Sequence, residues 1–180
     1  MVKSLRCQLV TGRFIMDFKR IIDKAVTVKK GSYSLYIQCN KKVGIKCYED
    51  ESTRDDAFSV QEKAYNKGLA PKCFALINLQ ETLKNGKIKT WYCYTTQVVK
   101  VFKKEKINKI WWNAKFRETR SKIQSILDSL ESDLFEQGFE DESRDMHRFN
   151  IGFIGSKPVA IDFGCYEGDV LATSYGERMI

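Results

Sequence analysis

Four short motifs, separated by long stretches of chain, constrain what this sequence can fold into. They are Val43–Lys46, the acid Glu62, Arg144–Asn150 and Ile161–Gly164. Their charged residues can act together only if a strand lysine, a helix glutamate, a loop and the end of a second strand meet at one place. That requirement predicts an α+β fold in which residues far apart in sequence become neighbours.

Lys46 lies between Ile45 and Cys47 in a strand-like run. A strand lysine that points away from solvent needs a partner, because an isolated buried cation is costly. Glu62, on the helix that follows, is the predicted partner. An ammonium held in this way is suited to bind phosphate groups, as phosphoryl transfer from ATP requires. The alternative is an ordinary solvated lysine on a strand.

Asp145 and Asn150 lie in a polar loop after a long helix, and Asp162 follows the apolar run Val159–Ile161. The carboxylate of Asp145 can accept a proton from an incoming hydroxyl group. Carboxylate and amide oxygens are the ligands that Mg²⁺ prefers, which makes Asn150 and Asp162 candidate metal ligands. The alternatives are a polar surface loop and a turn at the end of a strand.

Gly31 and Ser32 lie in a turn between two predicted strands. Such a turn can fold over phosphates and donate backbone N–H groups to them. Since the turn has a single glycine, an ordinary hairpin is the better interpretation when the turn is considered alone.

The first hundred residues predict a leading helix, an inserted helix and five strands, as β-branched and aromatic runs between turns indicate. The predicted helices cover residues 12–25 and 56–67, the second capped by Asp55 or Asp56. The predicted strands cover residues 25–30, 35–40, 43–48, 73–79 and 89–101.

The second half predicts a long helix and two short strands. Apolar residues recur at three- and four-residue steps from Ile123 to Leu134, and the helix should end near Gly138. The loop 144–150 follows, and then come strands at 150–154 and 158–162.

The 180 residues, 43% apolar and 30% charged, predict one globular domain. No apolar run is long enough to span a membrane, and the first residues do not form the apolar stretch of a signal peptide. Six scattered cysteines without a CxxC pair favour free thiols, and a single histidine argues against a zinc site. We therefore expect a cytoplasmic protein.

The net charge of +8 is unevenly distributed. Nine Lys or Arg and two Glu lie between Lys100 and Lys122, whereas seven acids and one base lie between Glu131 and Asp145. Solvated faces of neighbouring helices would explain both stretches. The basic stretch could also be a docking surface for an acidic protein or for nucleic acid, and Trp111 and Trp112 could either stack on bases or pack inside the protein.

Together these motifs resemble those of the protein kinase superfamily. Val43–Lys46 looks like its strand lysine motif, residues 143–150 look like its catalytic loop with Ser143 in place of the usual histidine, and Ile161–Gly164 matches its metal-binding motif. The Asp-x-His-x-x-Asn pattern is also similar to that of aminoglycoside-phosphotransferase-like kinases and small phage-encoded protein kinases. The resemblance covers about residues 26 to 165.

The resemblance implies a two-lobed fold, with a five-stranded antiparallel N-lobe over residues 1–98 and a reduced helical C-lobe over 99–180, within one domain. It implies that Lys46 binds the α- and β-phosphates of ATP, that Glu62 anchors it, and that Asp145 is the base. The remaining implied roles are Mg²⁺ binding by Asn150 and Asp162, phosphate contacts at Gly31 and Ser32, and adenine contacts at Gly44, Gln97 and Val99.

The predicted function is ATP- and Mg²⁺-dependent phosphorylation of Ser/Thr hydroxyls of protein, including its own. If the protein is phage-encoded, its site of action is the host cytoplasm. Only sixteen residues follow Gly164, so the sequence has no activation segment of the usual kind. The alternative is a catalytically inactive kinase-like protein that inhibits or redirects a partner through the basic 100–122 surface. Nucleic-acid binding is the weaker third hypothesis, and no membrane association is expected.

Overall fold

The computed structural model describes residues 8–10, 13–31 and 34–163, with side chains described from residue 16 onward. The described chain is α+β and contains a seven-stranded mixed sheet, a three-stranded sheet and five α-helices. Ser32, Gly164, Cys7 and Cys165 lie outside the described residues. None of the described helices combines the length and the apolar character that crossing a bilayer requires.

The large sheet has the order β1-β2-β6-β7-β5-β4-β3. Its strands are β1 (Gln8–Val10), β2 (Arg13–Asp17), β3 (Thr27–Lys30), β4 (Leu35–Gln38), β5 (Val43–Tyr48), β6 (Cys73–Thr82) and β7 (Ile88–Gln97). The five strands from β3 to β7 are antiparallel, as the sequence predicted. The prediction missed β1 and β2, and β2 pairs with β6 in parallel, so the sheet is mixed.

The leading helix predicted over residues 12–25 is wrong in its first half. Arg13–Asp17 forms β2, and the helix α1 covers only Phe18–Ile22. The carboxylate of Asp17 accepts a hydrogen bond from the N–H of Arg20 at 2.7 Å and so sets the start of this helix. Before this helix, β2 pairs with β6, with Ile15 opposite Asn78, so the backbone of β2 forms its hydrogen bonds to a strand. The apolar periodicity of the segment does not indicate this pairing.

The helix α2 (Glu51–Asn66) begins five residues earlier than predicted. Asp50, rather than Asp55 or Asp56, caps it, because its carboxylate accepts from the N–H of Thr53 at 2.8 Å. The first turns carry no apolar signal, since the inward-facing residue there is Arg54. That guanidinium is 2% exposed and bonds Glu51, Asp55 and the amide oxygen of Asn78.

The predicted strand over residues 89–101 divides between the two sheets. β7 ends at Gln97, and Lys100–Val101 forms β8, which pairs with β9 (Ile151–Ile154) of the small sheet. β10 (Lys157–Ala160) completes that sheet. Residues 98 and 99 therefore connect the large sheet to the rest of the chain.

The remaining elements are helical. They are α3 (Lys104–Trp112), a 3-10 turn (Ala114–Phe116), α4 (Arg117–Glu136) and α5 (Glu140–Arg144). The apolar spacing predicted for α4 is confirmed, since Ile123, Leu127, Leu130 and Leu134 are buried. Gly138 ends the helix with a positive φ of 83°, a backbone conformation that glycine adopts without strain.

The large sheet is covered on both faces. One face packs Ile37, Ile45, Cys47 and Leu79 with Phe18 of α1, and Phe18 stacks on Trp91 with ring centroids 5.3 Å apart. The other face packs against α2. The free thiols predicted from the cysteine pattern are confirmed for the four described cysteines: Cys39, Cys47, Cys73 and Cys93.

Gln61 fixes α2 to the sheet by three buried hydrogen bonds. Its amide oxygen accepts from the hydroxyl of Tyr94 at 2.8 Å, and its amide nitrogen donates to Thr96 Oγ1 at 2.9 Å and to the carbonyl of Pro71 at 3.0 Å. Gln61 is fully buried, whereas Glu62 beside it is exposed. The rotation of the helix therefore turns Gln61 inward.

We expect Gln61→Leu to lower the free energy of unfolding by about 3 kcal/mol, because it leaves buried partners without hydrogen bonds. Glu62→Leu is the matched control and should change stability by less than about 0.5 kcal/mol, since Glu62 is exposed. Urea unfolding of both variants measures the difference. Equal losses would contradict this arrangement of α2.

Candidate functional site

The N-terminal part of the chain meets its C-terminal motif through an ion pair between Lys46 and Asp162. The ammonium nitrogen of Lys46 lies 3.3 Å from Oδ1 of Asp162 and donates a hydrogen bond to it. The Lys46 side chain is 9% exposed, whereas that of Asp162 is 53% exposed. The lysine is therefore anchored inside the protein, and the carboxylate is partly exposed at the surface.

Burial is the strongest influence on the ammonium of Lys46 and by itself would lower its pKa. Attraction to Tyr48 and Asp162, with the hydrogen bond to Asp162, outweighs burial, so the pKa of Lys46 lies above its usual range. Lys46 is consequently a cation at neutral pH.

The predicted contact between Lys46 and Glu62 is not formed within the described part of the chain. Glu62 is exposed, and the ion pair of Lys46 is with Asp162 instead. Both side chains still act on the thiol of Cys73. Burial raises the pKa of Cys73 to about 12, while Lys46 lowers it and Glu62 raises it. Glu62 therefore lies on the side of α2 that influences Cys73, without reaching the lysine.

Asp145 and Asn150 are joined within the loop, as the sequence predicted. The amide nitrogen of Asn150 donates to Oδ2 of Asp145 at 3.0 Å and to its carbonyl at 3.2 Å. Asn150 is 7% exposed and Asp145 is half-buried. Since the amide nitrogen is directed at Asp145, the amide oxygen of Asn150 is the atom that can bind a cation.

A backbone hydrogen bond places this loop beside the last motif. The N–H of Ile161 donates to the carbonyl of Asn150 at 3.0 Å, so Asn150 and Asp162 are neighbours across it. Phe163 is fully buried in the core between α2 and α4, and its carbonyl lies 3.4 Å from the hydroxyl of Tyr48. The backbone of the residues before and after Asp162 is thus held in place, while its carboxylate stays partly exposed.

His147 makes a local hydrogen bond that orders the loop. Its Nδ1 accepts from the N–H of Phe149 at 3.3 Å, and the two rings meet edge-on. Ser143, which occupies the position of the usual histidine, is buried.

The connection between the sheets offers one free backbone donor among its three central residues. The N–H groups of Gln97 and Val98 donate to the carbonyls of Lys72 and Lys42, at 2.8 and 2.9 Å. Within the described residues, the N–H of Val99 has no such partner. Of the two adenine contacts predicted within this connection, Val99 therefore retains the backbone donor that a base could use, whereas that of Gln97 is occupied.

Gly44 faces the same side of the sheet as Lys46 and is covered by the ring of Tyr36. A Cβ at Gly44 would clash with that ring, which explains the glycine. The sequence analysis missed Tyr36. The predicted strands 35–40 and 43–48 leave Lys41-Lys42 as a two-residue turn, which would pair Tyr36 with Cys47. The observed register is shifted by one residue and pairs Tyr36 with Lys46, so the predicted hairpin did not indicate this contact.

Gly31 is exposed, and its N–H donates to the carbonyl of Ser34 at 2.8 Å. Its φ is not positive, so the backbone there does not require glycine. The predicted role of Ser32 falls outside the described residues. The predicted phosphate-binding turn therefore stays a prediction.

Asn150 and Asp162, the predicted Mg²⁺ ligands, both offer oxygen atoms. Asp162 carries carboxylate oxygens and Asn150 carries an amide oxygen, which are the ligand types that Mg²⁺ prefers. In the part of the chain that the structure describes, no group of three or more His, Cys, Asp or Glu side chains could form a site of another kind.

No protein-family model matches the chain, and no curated protein matches its sequence. The evidence for its function is therefore the arrangement of these side chains.

We expect Gly44→Ala to destabilise the protein by about 1–3 kcal/mol, because the new methyl group displaces the ring of Tyr36. In a Tyr36→Ala background the same substitution should cost less than about 0.5 kcal/mol, since the space is then open. A double-mutant cycle by chemical denaturation measures the coupling. Additive effects would show that the ring does not cover Gly44.

Glu142 should make stability depend on pH in the acidic range. Burial is the main cause that raises the pKa of this carboxyl above its ordinary 4.5, with further increases from Asp141 and Asp145. A raised pKa favours the protonated form in the folded state, so its stability contribution is complete below pH 4.5 and is lost as pH rises through the folded pKa. Glu142→Gln should remove that loss, whereas Glu140→Gln, an exposed neighbour, should not. Denaturation midpoints against pH test this difference, and identical profiles for both variants would refute it.

Proposed function

We propose that this protein is a minimal ATP- and Mg²⁺-dependent phosphotransferase that acts on Ser/Thr hydroxyls of protein. The observation that carries this proposal is the pairing of the buried Lys46 with Asp162, with Asn150 and Asp145 adjacent to them through the Ile161 backbone. A phosphate-binding cation, two oxygen ligands and a carboxylate base then border one cleft.

We further propose that the chain has two lobes of the kinase-like kind. The large sheet with α1 and α2 would be one lobe, and the elements from β8 to β10 would be a reduced second lobe. Residues 97–99 would connect them. The Lys46–Asp162 pair, which joins β5 to the residues that follow β10, would then lie between the two lobes, and this supports the proposal.

In this proposal Lys46 binds the α- and β-phosphates of ATP, and Val99 donates its N–H to the adenine. The wall of the base site consists of Gly44 with the ring of Tyr36. Asp162 and the amide oxygen of Asn150 would hold Mg²⁺, which neutralises charge on the phosphates when it is bound. Glu62 stays a candidate anchor that must move toward Lys46 before it can act.

Asp145 orients the acceptor hydroxyl and takes its proton. The hydroxyl oxygen then forms a bond to the γ-phosphorus as the bond from that phosphorus to the β,γ-bridging oxygen breaks, and ADP leaves. Asn150 positions Asp145 by the hydrogen bond to Oδ2. The acceptor is a serine or threonine of another protein or of a second copy of this chain, and the cytoplasm is the proposed compartment.

The alternative function is that of an inactive kinase-like protein that binds and redirects a partner through residues 100–122. The specific observation in its favour is that Glu62 does not contact Lys46. In that case, charge reversal at Lys103, Lys104 and Lys106 should abolish function, and substitutions at Lys46 or Asp145 should have no effect.

Incubation with γ-labelled ATP, Mg²⁺ and cell lysate tests the proposed function. We expect transfer of label by the wild type and a loss of about a hundredfold or more in Lys46→Ala, Asp145→Asn and Asp162→Ala. The matched control is Asp141→Asn, an exposed acid four residues before Asp145, which should keep full activity.

The outcomes separate the two functions. If no label is transferred but ATP raises the melting temperature of the wild type and not of Lys46→Ala, the protein binds nucleotide without catalysing transfer. If no label is transferred and ATP does not raise the melting temperature of the wild type, the proposed function is wrong.

A further inference from the structure

A strongly basic surface lies beside the proposed catalytic loop. We call it the basic face and define it as α3 with the first turns of α4, residues 103–122. Its exposed cations include Lys103, Lys104, Lys106, Lys109, Lys115, Arg117 and Lys122. Two acids lie within this range, and one of them, Glu118, is bonded to Lys122 at 2.7 Å. The face therefore carries a large net positive charge that its own residues do not neutralise.

Stacked side chains connect the basic face to the catalytic loop. The guanidinium of Arg148 lies over the ring of Trp111 at 5.0 Å and over that of Phe149 at 4.6 Å. Lys104 Nζ lies 5.9 Å from the centre of the Phe149 ring. Arg148 is three residues from Asp145, so a segment bound along α3 would have part of its chain near the proposed base.

The same face contains a cavity of about 560 Å³. It is lined by Trp111, Trp112, Arg117, Arg120, Ser121 and Gln124. The guanidinium of Arg120 donates to the carbonyl of Trp111 at 2.8 Å, which fixes the end of α3 against α4. Trp112 is 78% exposed although it is a large aromatic side chain. Such a volume accommodates one or two side chains of a bound peptide.

We propose that the basic face binds an acidic segment of the protein substrate and presents a neighbouring serine or threonine to Asp145. This inference rests on the proposed function and adds the substrate class. Complementary charge would steer the acidic segment to the face and fix its direction along α3. The cavity beside Trp112 would hold a side chain of that segment.

The aromatic residues of the face favour a protein over nucleic acid. Single-stranded nucleic acids bind on a series of exposed rings on which successive bases stack. Here Arg148 covers Trp111, Lys115 lies over Phe116 at 5.0 Å, and Trp112 is the exposed ring among the described residues of the face. One exposed ring among many cations suits an acidic peptide with a single anchoring side chain.

Phosphorylation kinetics with three serine peptides test this substrate class. The peptides share one sequence in which the positions flanking the serine are Glu/Asp, Gln/Asn or Lys. We expect the wild type to show a KM at least about tenfold lower for the acidic peptide than for the other two, with kcat within about twofold. The variant Lys104→Glu/Lys109→Glu/Arg117→Glu should lose this preference through KM. The control variant Lys24→Glu/Lys84→Glu/Lys87→Glu makes the same change of charge at exposed positions outside the basic face. It should keep the preference for the acidic peptide.

Binding measured without catalysis separates failure of this inference from failure of the proposed function. Fluorescence anisotropy of the labelled acidic peptide with Asp162→Ala should show binding that weakens with salt and that is lost in the charge-reversed triple variant. Binding without phosphate transfer by the wild type would refute the kinase function and still support the basic face. Equal KM values for the three peptides, or a single-stranded oligonucleotide that binds more tightly than the acidic peptide, would overturn the assignment of the face.

Discussion

The ion pair between Lys46 and Asp162 is the interaction on which the rest of the structure depends. Its partners are 116 residues apart in sequence, so it can form only when the large sheet and the small sheet are both complete. Lys46 is buried and would be costly without a partner, and removal of the carboxylate would leave an uncompensated charge inside the protein. The pair therefore couples the packing of the large sheet to the burial of Phe163, the residue that follows Asp162.

Much of the fold could be predicted because its signals are local. Alternating β-branched and aromatic residues predicted the five antiparallel strands, and three- and four-residue spacing predicted α4. Long-range pairing gave no such signal. Residues 13–17 have the apolar spacing of a helix but form a strand, because the edge of β6 accepts them as a parallel neighbour. Likewise, the strand-like run from Tyr92 to Val101 contains no turn residue, so it hides the change of sheet at residues 98 and 99.

The sequence predicted which residues belong to the candidate site better than it predicted which of them bond to each other. The motifs gave Lys46, Asp145, Asn150 and Asp162, but residue types alone cannot decide which acid bonds the lysine. That choice depends on how α2 rotates, and the rotation is set by Gln61 and Arg54, two polar residues that a search for apolar periodicity passes over. Polar residues that are buried by a network of hydrogen bonds are thus where sequence patterns gave the least information.

The backbone at residues 98 and 99 has a mechanical consequence for the joint between the two sheets. The N–H of Val98 is bonded to the carbonyl of Lys42, which ties this residue to the hairpin of β4 and β5. Val99 lies against Gly152, and a Cβ added at position 152 would lie 2.5 Å from the methyl carbons of both Val99 and Ile161. The connection is thus held on both sides. Glycine at position 152 sets how closely the connection can lie on the small sheet, and any larger residue there would act as a spacer at the joint.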